Sequence, residues 1–161
     1  MSKEFDVVVI GAGPAGYVAA IRAAQLGMNV ACIDKWLDLS DKPSLGGTCL
    51  NAGCIPSKAL LESSELYHRA QHEFVDHGLS MGKVELDLAA MQKRKAGVVS
   101  QLTGGIASLF KANGVNSFAG KGQVVDSGEV LYTTHDGKEE TFKAKNIVIA
   151  AGSEPVELDI A

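Results

Sequence analysis

The sequence FDVVVIGAGPAG, residues 5–16, joins a β-branched apolar run to a glycine-rich turn. Residues 5–10 are typical of a strand that is buried on both faces in a parallel sheet. A helical pattern follows from about Pro14 to Leu26, Gly27 is a candidate for its C-cap, and a second strand is predicted at about 29–34. These features predict a βαβ unit of about 30 residues with the pattern G-x-G-x-x-G at its turn.

The turn has the properties of a pyrophosphate site. Gly11, Gly13 and Gly16 allow a tight turn, and the helix that follows offers N–H donors and the positive end of its dipole. Pro14 suits the first helical position, where a missing N–H breaks no hydrogen bond. Asp34 ends the second strand eighteen positions after Gly16, where an acidic side chain hydrogen-bonds a ribose hydroxyl. We therefore predict dinucleotide binding; a strand-helix turn without a ligand is the alternative.

Composition and charge narrow the functional class. The 161 residues predict one domain, and 46% hydrophobic with 21% charged residues is ordinary for a globular protein. A formal net charge of −4 argues against nucleic-acid binding, and no apolar run reaches the length of a membrane span. Residues 7–20 resemble the core of a signal peptide, but Glu4 and Asp6 precede them and Pro14 interrupts them. We predict a cytoplasmic location.

Two further helices are predicted after a polar loop at residues 35–45. One runs from about residue 57 to 73; the other runs from about 87 to 113 and is closed by Gly114. A Gly-Gly pair at 104–105 costs about 1 kcal/mol per glycine relative to alanine. We therefore expect a close approach by a cofactor or by backbone there, or else a simple kink.

The last third of the chain is predicted to be mostly strand. From Val115 the apolar pattern has a period of two. Short strands separated by Gly122, by residues 127–128 and by residues 136–137 predict a small antiparallel meander. Residues 146–150 form another apolar run, which predicts a further buried strand.

Three cysteines do not make a structural disulfide framework. Cys32 lies in an apolar run and is predicted to be a small core residue. Five helical steps rise roughly 7.5 Å, whereas a disulfide needs Cα atoms about 4.4–6.8 Å apart. A bridge between Cys49 and Cys54 therefore requires a distorted first turn, which Gly53 and Pro56 make feasible.

Such a bridge has the character of an exchange disulfide. A strained, locally closed disulfide is more readily reduced than a structural one, and the N-terminal end of the next helix lowers a thiol pKa. The spacing Cys49-x4-Cys54-x13-His68-x3-His72 also satisfies a loose zinc-finger pattern. Against zinc, the helix begins almost directly after Cys54, which leaves no room for the tip of a finger. We assign no metal ligands.

The run GGTCLNAGCIPSKALL, residues 46–61, resembles the redox motif of the flavin-dependent pyridine nucleotide-disulfide oxidoreductases, and most closely that of their dihydrolipoamide dehydrogenase branch. Glutathione and mercuric reductases share the two cysteines but differ around the Pro and Ser-Lys that follow. The resemblance covers essentially the whole chain, including QLTGG at 101–105 and IAAGS at 149–153. It implies an α/β fold: a Rossmann-like FAD-binding domain over residues 1–161, with a central parallel sheet, long helices and a small antiparallel β-meander.

The resemblance also implies roles for individual residues. Cys49 would be the thiol that exchanges with substrate, and Cys54 the charge-transfer thiolate against the flavin. Lys58 would approach the reactive nitrogen of the flavin, and Asp34 would bind the adenosine ribose, where many relatives have glutamate. The implied FAD-binding residues are Gly11, Gly13, Pro14, Ala15, Gly16, Asp34, Lys35, Gly46, Gly47, Thr48, Cys49, Lys58, Gly122, Ala151, Gly152 and Ser153.

The implied reaction passes electrons from dihydrolipoamide through the Cys49–Cys54 disulfide and FAD to NAD+, with the lipoyl domains of 2-oxo-acid dehydrogenase complexes as partners and a homodimer as the working form. No second G-x-G-x-x-G follows Ser153, and none of the four histidines precedes a proline. We therefore expect the N-terminal FAD-binding part of such an enzyme, without its NAD-binding and C-terminal interface domains and with little turnover alone. A stand-alone or split-chain FAD-binding module without catalysis, or a related glutathione or mercuric reductase, are the alternatives.

Overall fold

The computed structural model describes residues 3–154 and residue 156, so the end of the predicted 1–161 domain lies outside the described residues. Within this part of the chain, no helix is long and apolar enough to cross a membrane. The strands are β1 Lys3–Ile10, β2 Val30–Asp34, β3 Asn116–Asp126, β4 Glu129–Thr134 and β5 Glu139–Ile149. The α-helices are α1 Pro14–Gln25, α2 Gly47–Asn51, α3 Cys54–His72 and α4 Leu88–Asn113, with a short 3₁₀ helix at Phe74–His77.

The five strands close into a ring in chain order. β1 pairs in parallel with β2 on one side and with β5 on the other, and β2 pairs in parallel with β3. β4 closes the ring by pairing antiparallel to both β3 and β5. The predicted α/β class, with parallel strands, long helices and an antiparallel part, is confirmed.

The apolar run of β1 is explained by burial on both of its faces. Val7 and Val9 belong to a core cluster shared with Phe110 of α4, while Val8 and Ile10 belong to a second cluster with Phe142 of β5 and its neighbours. Since successive side chains of a strand point to opposite faces, each face of β1 meets its own core. Because both faces are buried, the strand has a continuous apolar run and can be predicted from the sequence alone.

β3 changes partner at Gly120. The residues before it pair with β2, and from Gly120 onward the strand pairs with β4. Gly120 has φ +154°, and a Cβ there would lie 2.2 Å from the carbonyl oxygen of Thr133. Only a residue without a side chain allows the two backbones to come this close.

Two expectations about the strands are wrong. Gly122 does not separate two strands but lies within β3, where a Cβ would meet the side chains of Ile10 and Ile33 at 3.2–3.3 Å. The run at 146–150 is neither a separate strand nor buried: residues 146–149 are the second half of β5, which pairs with β4 first and with β1 afterwards, and Asn146 and Ile149 are exposed. One long strand therefore belongs to both the parallel and the antiparallel part of the ring.

The helices also differ from expectation in three places. α3 begins at Cys54 and not at residue 57, because Pro56 is tolerated in a first turn whose N–H groups have no partner within the helix. The five-residue helix α2 was not predicted. Finally, a Cβ at Gly104 or Gly105 would meet no atom within 4 Å, so the expected approach of backbone to this pair is wrong for the described residues, and α4 continues through it.

Alanine substitutions at Gly120 and Gly104 are expected to change the free energy of unfolding in opposite directions. Gly120→Ala should lower the free energy of unfolding by about 2 kcal/mol or more, because the new methyl group meets backbone at a positive φ. Gly104→Ala should raise it by about 0.5–1 kcal/mol, because alanine restricts the unfolded chain and meets open space in α4. Urea unfolding followed by circular dichroism measures both, and a stable Gly120→Ala variant would contradict the described strand switch.

Candidate redox and dinucleotide site

The glycine-rich turn is held between the ends of two strands and the start of α1. The N–H of Ala150 donates to the carbonyl oxygen of Ile10 at 2.8 Å, and the N–H of Gly11 donates to that of Ile33 at 2.7 Å. Gly11 has φ +101°, and a Cβ there would lie 2.2 Å from the Ala150 oxygen. A Cβ at Gly16 would lie 1.8 Å from the Gly11 oxygen, so the helix packs directly on the turn. Neither position accepts a side chain without displacing backbone.

The N-terminus of α1 fits a phosphate group. Gly13 is the N-cap, and no side chain caps the first-turn N–H groups. Pro14 and Ala15 are exposed at this end, and neither carries a bulky or acidic side chain. Exposed N–H donors at the positive end of a twelve-residue helix are the features that bind a diphosphate.

Asp34 fastens the end of β2 to the turn. One carboxylate oxygen accepts a hydrogen bond from the N–H of Ala12, and the other accepts from the N–H of Trp36 at 2.7 Å. Both oxygens keep further lone pairs for a ligand hydroxyl. Lys35, also predicted to bind cofactor, forms an exposed ion pair with Glu154.

The segment that carries the redox motif contacts the glycine turn through backbone. The N–H of Gly46 donates to the carbonyl oxygen of Ala12 at 2.9 Å. Gly47 has φ +57°, and a Cβ there would lie 2.7 Å from the Cα of Gly13. The start of α2 therefore lies directly against the predicted phosphate-binding turn.

A break between α2 and α3 brings the two cysteines together. The N–H groups of Ala52 and Gly53 both donate to the carbonyl oxygen of Thr48, at 2.9 and 2.6 Å. A Cβ at Gly53 would lie 3.0 Å from that oxygen and 3.5 Å from the Cα of Cys49. This tight turn brings the chain at Gly53 back against Cys49 and places Cys54 close enough to change the pKa of the Cys49 thiol. The distorted turn at Gly53 expected from the spacing is present.

The two thiols differ in accessibility, and the pKa of Cys49 is shifted. Both are free, Cys54 being exposed and Cys49 partly buried. The hydrogen bond with the Cys54 side chain, followed by partial burial and the charge of Cys54, raises the pKa of Cys49. The backbone N–H of Cys54, at the start of α3, lowers the pKa of Cys49, but this effect is the smallest one. The expected lowering of the thiol pKa by the helix N-terminus is therefore wrong for Cys49, because the neighbouring thiol and partial burial outweigh it.

Cys32 is the buried core residue that the sequence predicted. It is 1% exposed and its Sγ lies 3.7 Å from the carbonyl oxygen of Gly11. Burial, with a smaller contribution from Asp34, raises the pKa of this thiol to about 12. Cys32 therefore stays protonated and inert beneath the glycine turn.

Asn51, the last residue of α2, was not predicted to be a site residue. Its side-chain N–H groups donate to the carbonyl oxygens of Gly47 at 2.9 Å and Leu45 at 3.1 Å. Its side-chain oxygen accepts from the Ser44 hydroxyl at 2.7 Å. Each of these bonds spans only four to seven residues, and asparagine near a helix end was the one local signal available.

The remaining predicted site residues lie around this centre. Thr48 and Lys58 are exposed, Lys58 one turn after Cys54 on α3. Residues 151–153 are exposed and follow β5 after Ala150, and a Cβ at Gly11 would lie 3.1 Å from the Cα of Ala151. A Cβ at Gly122 would lie between the side chains of Ile10 and Ile33.

The zinc-finger spacing is not realised as a metal site. His68 lies fourteen positions after Cys54 on the same helix, which is roughly 21 Å along its axis. His68 and His72 stack on each other with ring centroids 4.4 Å apart. Among the described residues, no three potential ligands are grouped to hold a metal ion.

The chain is similar to known proteins over nearly its whole length. The family described as pyridine nucleotide-disulphide oxidoreductase matches residues 5–161. Over 95% of this chain, identity is 54% to a leghemoglobin reductase of Vigna unguiculata, 52% to a mitochondrial dihydrolipoyl dehydrogenase of Pisum sativum and 50% to a dihydrolipoyl dehydrogenase of Cupriavidus necator. The chain spans 28%, 29% and 32% of the length of these three relatives.

The effect of Cys54 on the pKa of Cys49 predicts that removing Cys54 lowers the pH at which Cys49 becomes reactive. Cys54→Ala removes the thiol that raises the pKa of Cys49 and keeps the backbone N–H that lowers it, so the pKa of Cys49 should fall. Alkylation of Cys49 by iodoacetamide, followed by mass spectrometry under a phosphine reductant, should then reach half its maximal rate at a lower pH than in the unsubstituted chain. Cys32 in the same sample is the internal control and should stay unmodified. If the pH at half-maximal alkylation were unchanged or higher, the Cys54 thiol would not be what raises the pKa of Cys49.

Proposed function

We propose that this chain, which belongs to the pyridine nucleotide-disulphide oxidoreductase family, is the FAD-binding and redox-disulfide part of a dihydrolipoyl dehydrogenase. The proposal has two parts. The first is that the glycine turn and α1 bind the diphosphate of FAD. The second is that Cys49 and Cys54 cycle between dithiol and disulfide beside the flavin.

One observation carries the proposal. The turn at Gly53 packs against the Cα of Cys49 and brings Cys49 and Cys54 together on a segment whose start is hydrogen-bonded to the glycine turn, Gly46 N–H to Ala12 O at 2.9 Å. A vicinal thiol pair and a diphosphate cradle are therefore parts of one structure. This is the arrangement that a flavin-linked disulfide exchange requires.

The cysteines supply the exchange chemistry. A substrate dithiolate attacks one sulfur of the Cys49–Cys54 disulfide, the protein S–S bond breaks, and the second substrate sulfur then displaces the protein sulfur. The substrate leaves as a disulfide and both cysteines are reduced, with two electrons transferred. Bound FAD would accept the two electrons, and we assign the sulfur facing it to Cys54.

The substrate assignment to dihydrolipoamide, and the partnership with lipoyl domains of 2-oxo-acid dehydrogenase complexes, rest on the redox motif and on the names of the relatives. NAD+ would be the final acceptor of the whole protein, and a homodimer its working form. A glutathione or mercuric reductase remains the alternative for substrate. A cytoplasmic location remains a prediction, since a relative of 52% identity is named as mitochondrial.

The surface supports the view that more protein surrounds this domain in the working enzyme. Several large apolar side chains are more than half exposed, where a stand-alone module would be expected to bury them. They include Leu61, Val75, Leu79, Met81, Leu86, Leu88 and Ile149. Together with the 28–32% span of the relatives, this favours a part of a longer enzyme over a self-sufficient flavin-binding module.

The visible absorption spectrum tests the flavin and the cysteines together. The chain is mixed with FAD, freed of excess, and recorded before and after one equivalent of dithiothreitol. We expect a bound-flavin spectrum that gains a long-wavelength charge-transfer band on reduction of the disulfide. Cys54→Ser should abolish the band and retain the flavin, whereas Cys49→Ser should retain both.

Each negative result has a separate meaning. A colourless protein would contradict FAD binding by this chain. A flavin-bound protein whose band survives Cys54→Ser and is lost in Cys49→Ser would reverse the roles of the two sulfurs.

Turnover tests the proposal that the chain is only a part of the enzyme. With FAD bound, one equivalent of dihydrolipoamide should reduce the cysteine pair, and two equivalents of glutathione, which supply the same two electrons, should reduce it less. Steady-state reduction of NAD+ should be negligible. Dihydrolipoamide turnover near the rate of a whole dihydrolipoyl dehydrogenase would contradict this.

A further inference from the structure

We propose that Asn51 is the positioning residue of the redox pair: its side chain fixes α2 so that the Cys49 sulfur is held against that of Cys54. The inference rests on the proposed redox function of these cysteines. It assigns a role to a residue that contacts neither sulfur among the described hydrogen bonds.

Asn51 closes a ring of hydrogen bonds that starts and ends at Asp34. The carboxylate of Asp34 accepts from the N–H of Trp36 at 2.7 Å, and the carbonyl oxygen of Trp36 accepts from the N–H of Ser44 at 3.1 Å. The hydroxyl of Ser44 donates to Asn51 at 2.7 Å, and Asn51 donates to the carbonyl oxygen of Gly47 at 2.9 Å. This path connects the end of β2 to the helix that carries Cys49.

The other half of the ring returns through the glycine turn. The N–H of Gly46, next to Gly47, donates to the carbonyl oxygen of Ala12 at 2.9 Å. The N–H of Ala12 in turn donates to the second oxygen of Asp34. Asn51 is the single side chain in this ring that joins three points of the 44–51 segment, by one accepted and two donated hydrogen bonds.

The short length of α2 explains why this side chain matters. A five-residue helix has almost no internal hydrogen bonding and is not stable on its own. Leu50 is buried, Cys49 packs against the same core cluster, and the N–H of Gly46 holds the start of α2 to the glycine turn. The Asn51 bonds to Ser44 and Leu45 hold the other end of α2 to the loop before it, and so limit movement of the Cys49 side chain two positions earlier.

Positioning has a thermodynamic consequence for the disulfide. In the folded dithiol the turn at Gly53 already holds the chain before Cys54 against Cys49, so bridging the two sulfurs orders little further chain. Loss of the Asn51 bonds frees α2 in the dithiol, and that freedom must be lost again when the S–S bond forms. The equilibrium should therefore move toward the dithiol, and the disulfide should become easier to reduce.

The test uses the whole chain without flavin in glutathione buffers of varied composition, with acid quench, alkylation and mass spectrometry. The reaction is Cys49–SH plus Cys54–SH plus glutathione disulfide, giving the Cys49–Cys54 disulfide and two glutathione thiols. Asn51→Ala should shift this equilibrium constant about tenfold toward the dithiol, the effect expected for the loss of one or two hydrogen bonds. For this two-electron couple, tenfold corresponds to about 30 mV.

Asn113→Ala is the matched control. Asn113 is also the last residue of its helix, and its side chain also donates to the carbonyl oxygen four residues earlier, Leu109 at 2.8 Å, but on α4 away from the cysteines. Its substitution should change the disulfide equilibrium less than about twofold while costing a similar hydrogen bond in stability. Urea unfolding of both variants separates the stability effect from the redox effect.

The outcomes separate the positioning role of Asn51 from the proposed redox function of the cysteines. Equal equilibrium constants for Asn51→Ala and Asn113→Ala, both folded, would overturn the positioning role and leave the proposed function intact. If Asn51→Ala does not fold, Ser44→Ala replaces it, with an expected shift of about threefold from one lost hydrogen bond; no shift there would overturn the role. A chain that forms no Cys49–Cys54 disulfide in any buffer would overturn the proposed function, and the positioning role with it.

Discussion

The candidate site depends on one backbone contact, between Gly13 in the turn after β1 and Gly47 at the start of α2. A Cβ at position 47 would lie 2.7 Å from the Cα of Gly13, so the two chains touch only because side chains are absent there. The contact allows the N–H of Gly46 to reach the carbonyl oxygen of Ala12. It therefore fixes the distance between the N-terminus of α1, where a diphosphate would bind, and the helix that carries Cys49. Redox chemistry next to a dinucleotide requires this proximity.

The closed ring of strands gives that contact a rigid base. Gly11 follows β1, Asp34 ends β2 and Ala150 follows β5, so three parallel strands deliver the site residues at the same end of the sheet. This is the end at which ligands bind in open parallel sheets. The interior of the ring is filled by Phe5, Phe118, Phe142 and their neighbours, whose ring centroids are 4.7–6.0 Å apart. Aromatic packing of this kind resists shear between strands, so the strand ends keep their relative positions.

Local patterns were sufficient to predict the parts of the fold that depend on local burial. β1, α1, β2 and α4 each follow from a strand or helix period with a glycine or aspartate at its end, and the structure confirms all four within a few residues. The closure of the ring could not be predicted in this way, because a strand such as β5 has the same sequence pattern whether it has one partner or two. The failure at Gly122 has the same origin: a glycine that makes room for two isoleucines looks like a turn residue in sequence.

The site residues also divide into those that a local sequence pattern predicts and those that it does not. The glycine turn and Asp34 were predicted from a pattern of fixed spacing, and the cysteine pair from spacing together with resemblance. The helix α2 was missed because five residues are too few to show a helical period. The role of Asn51 was missed because its partners are carbonyl oxygens and one hydroxyl, which leave no compositional trace. The proposed reacting groups were therefore predictable from sequence, whereas the side chain that holds them was not.

The three cysteines show how the fold sorts equivalent thiols into different chemistry. Cys32 lies beneath the glycine turn, and burial raises its pKa to about 12, so it has no reactive thiolate near neutral pH. Cys49 and Cys54 lie on the two sides of the break between α2 and α3, Cys49 partly buried and Cys54 exposed. A thiol in the core so close to the redox pair could form a wrong disulfide if it were accessible. Burial prevents that exchange, and a buried cysteine beside the site is therefore compatible with a disulfide cycle in which only two sulfurs take part.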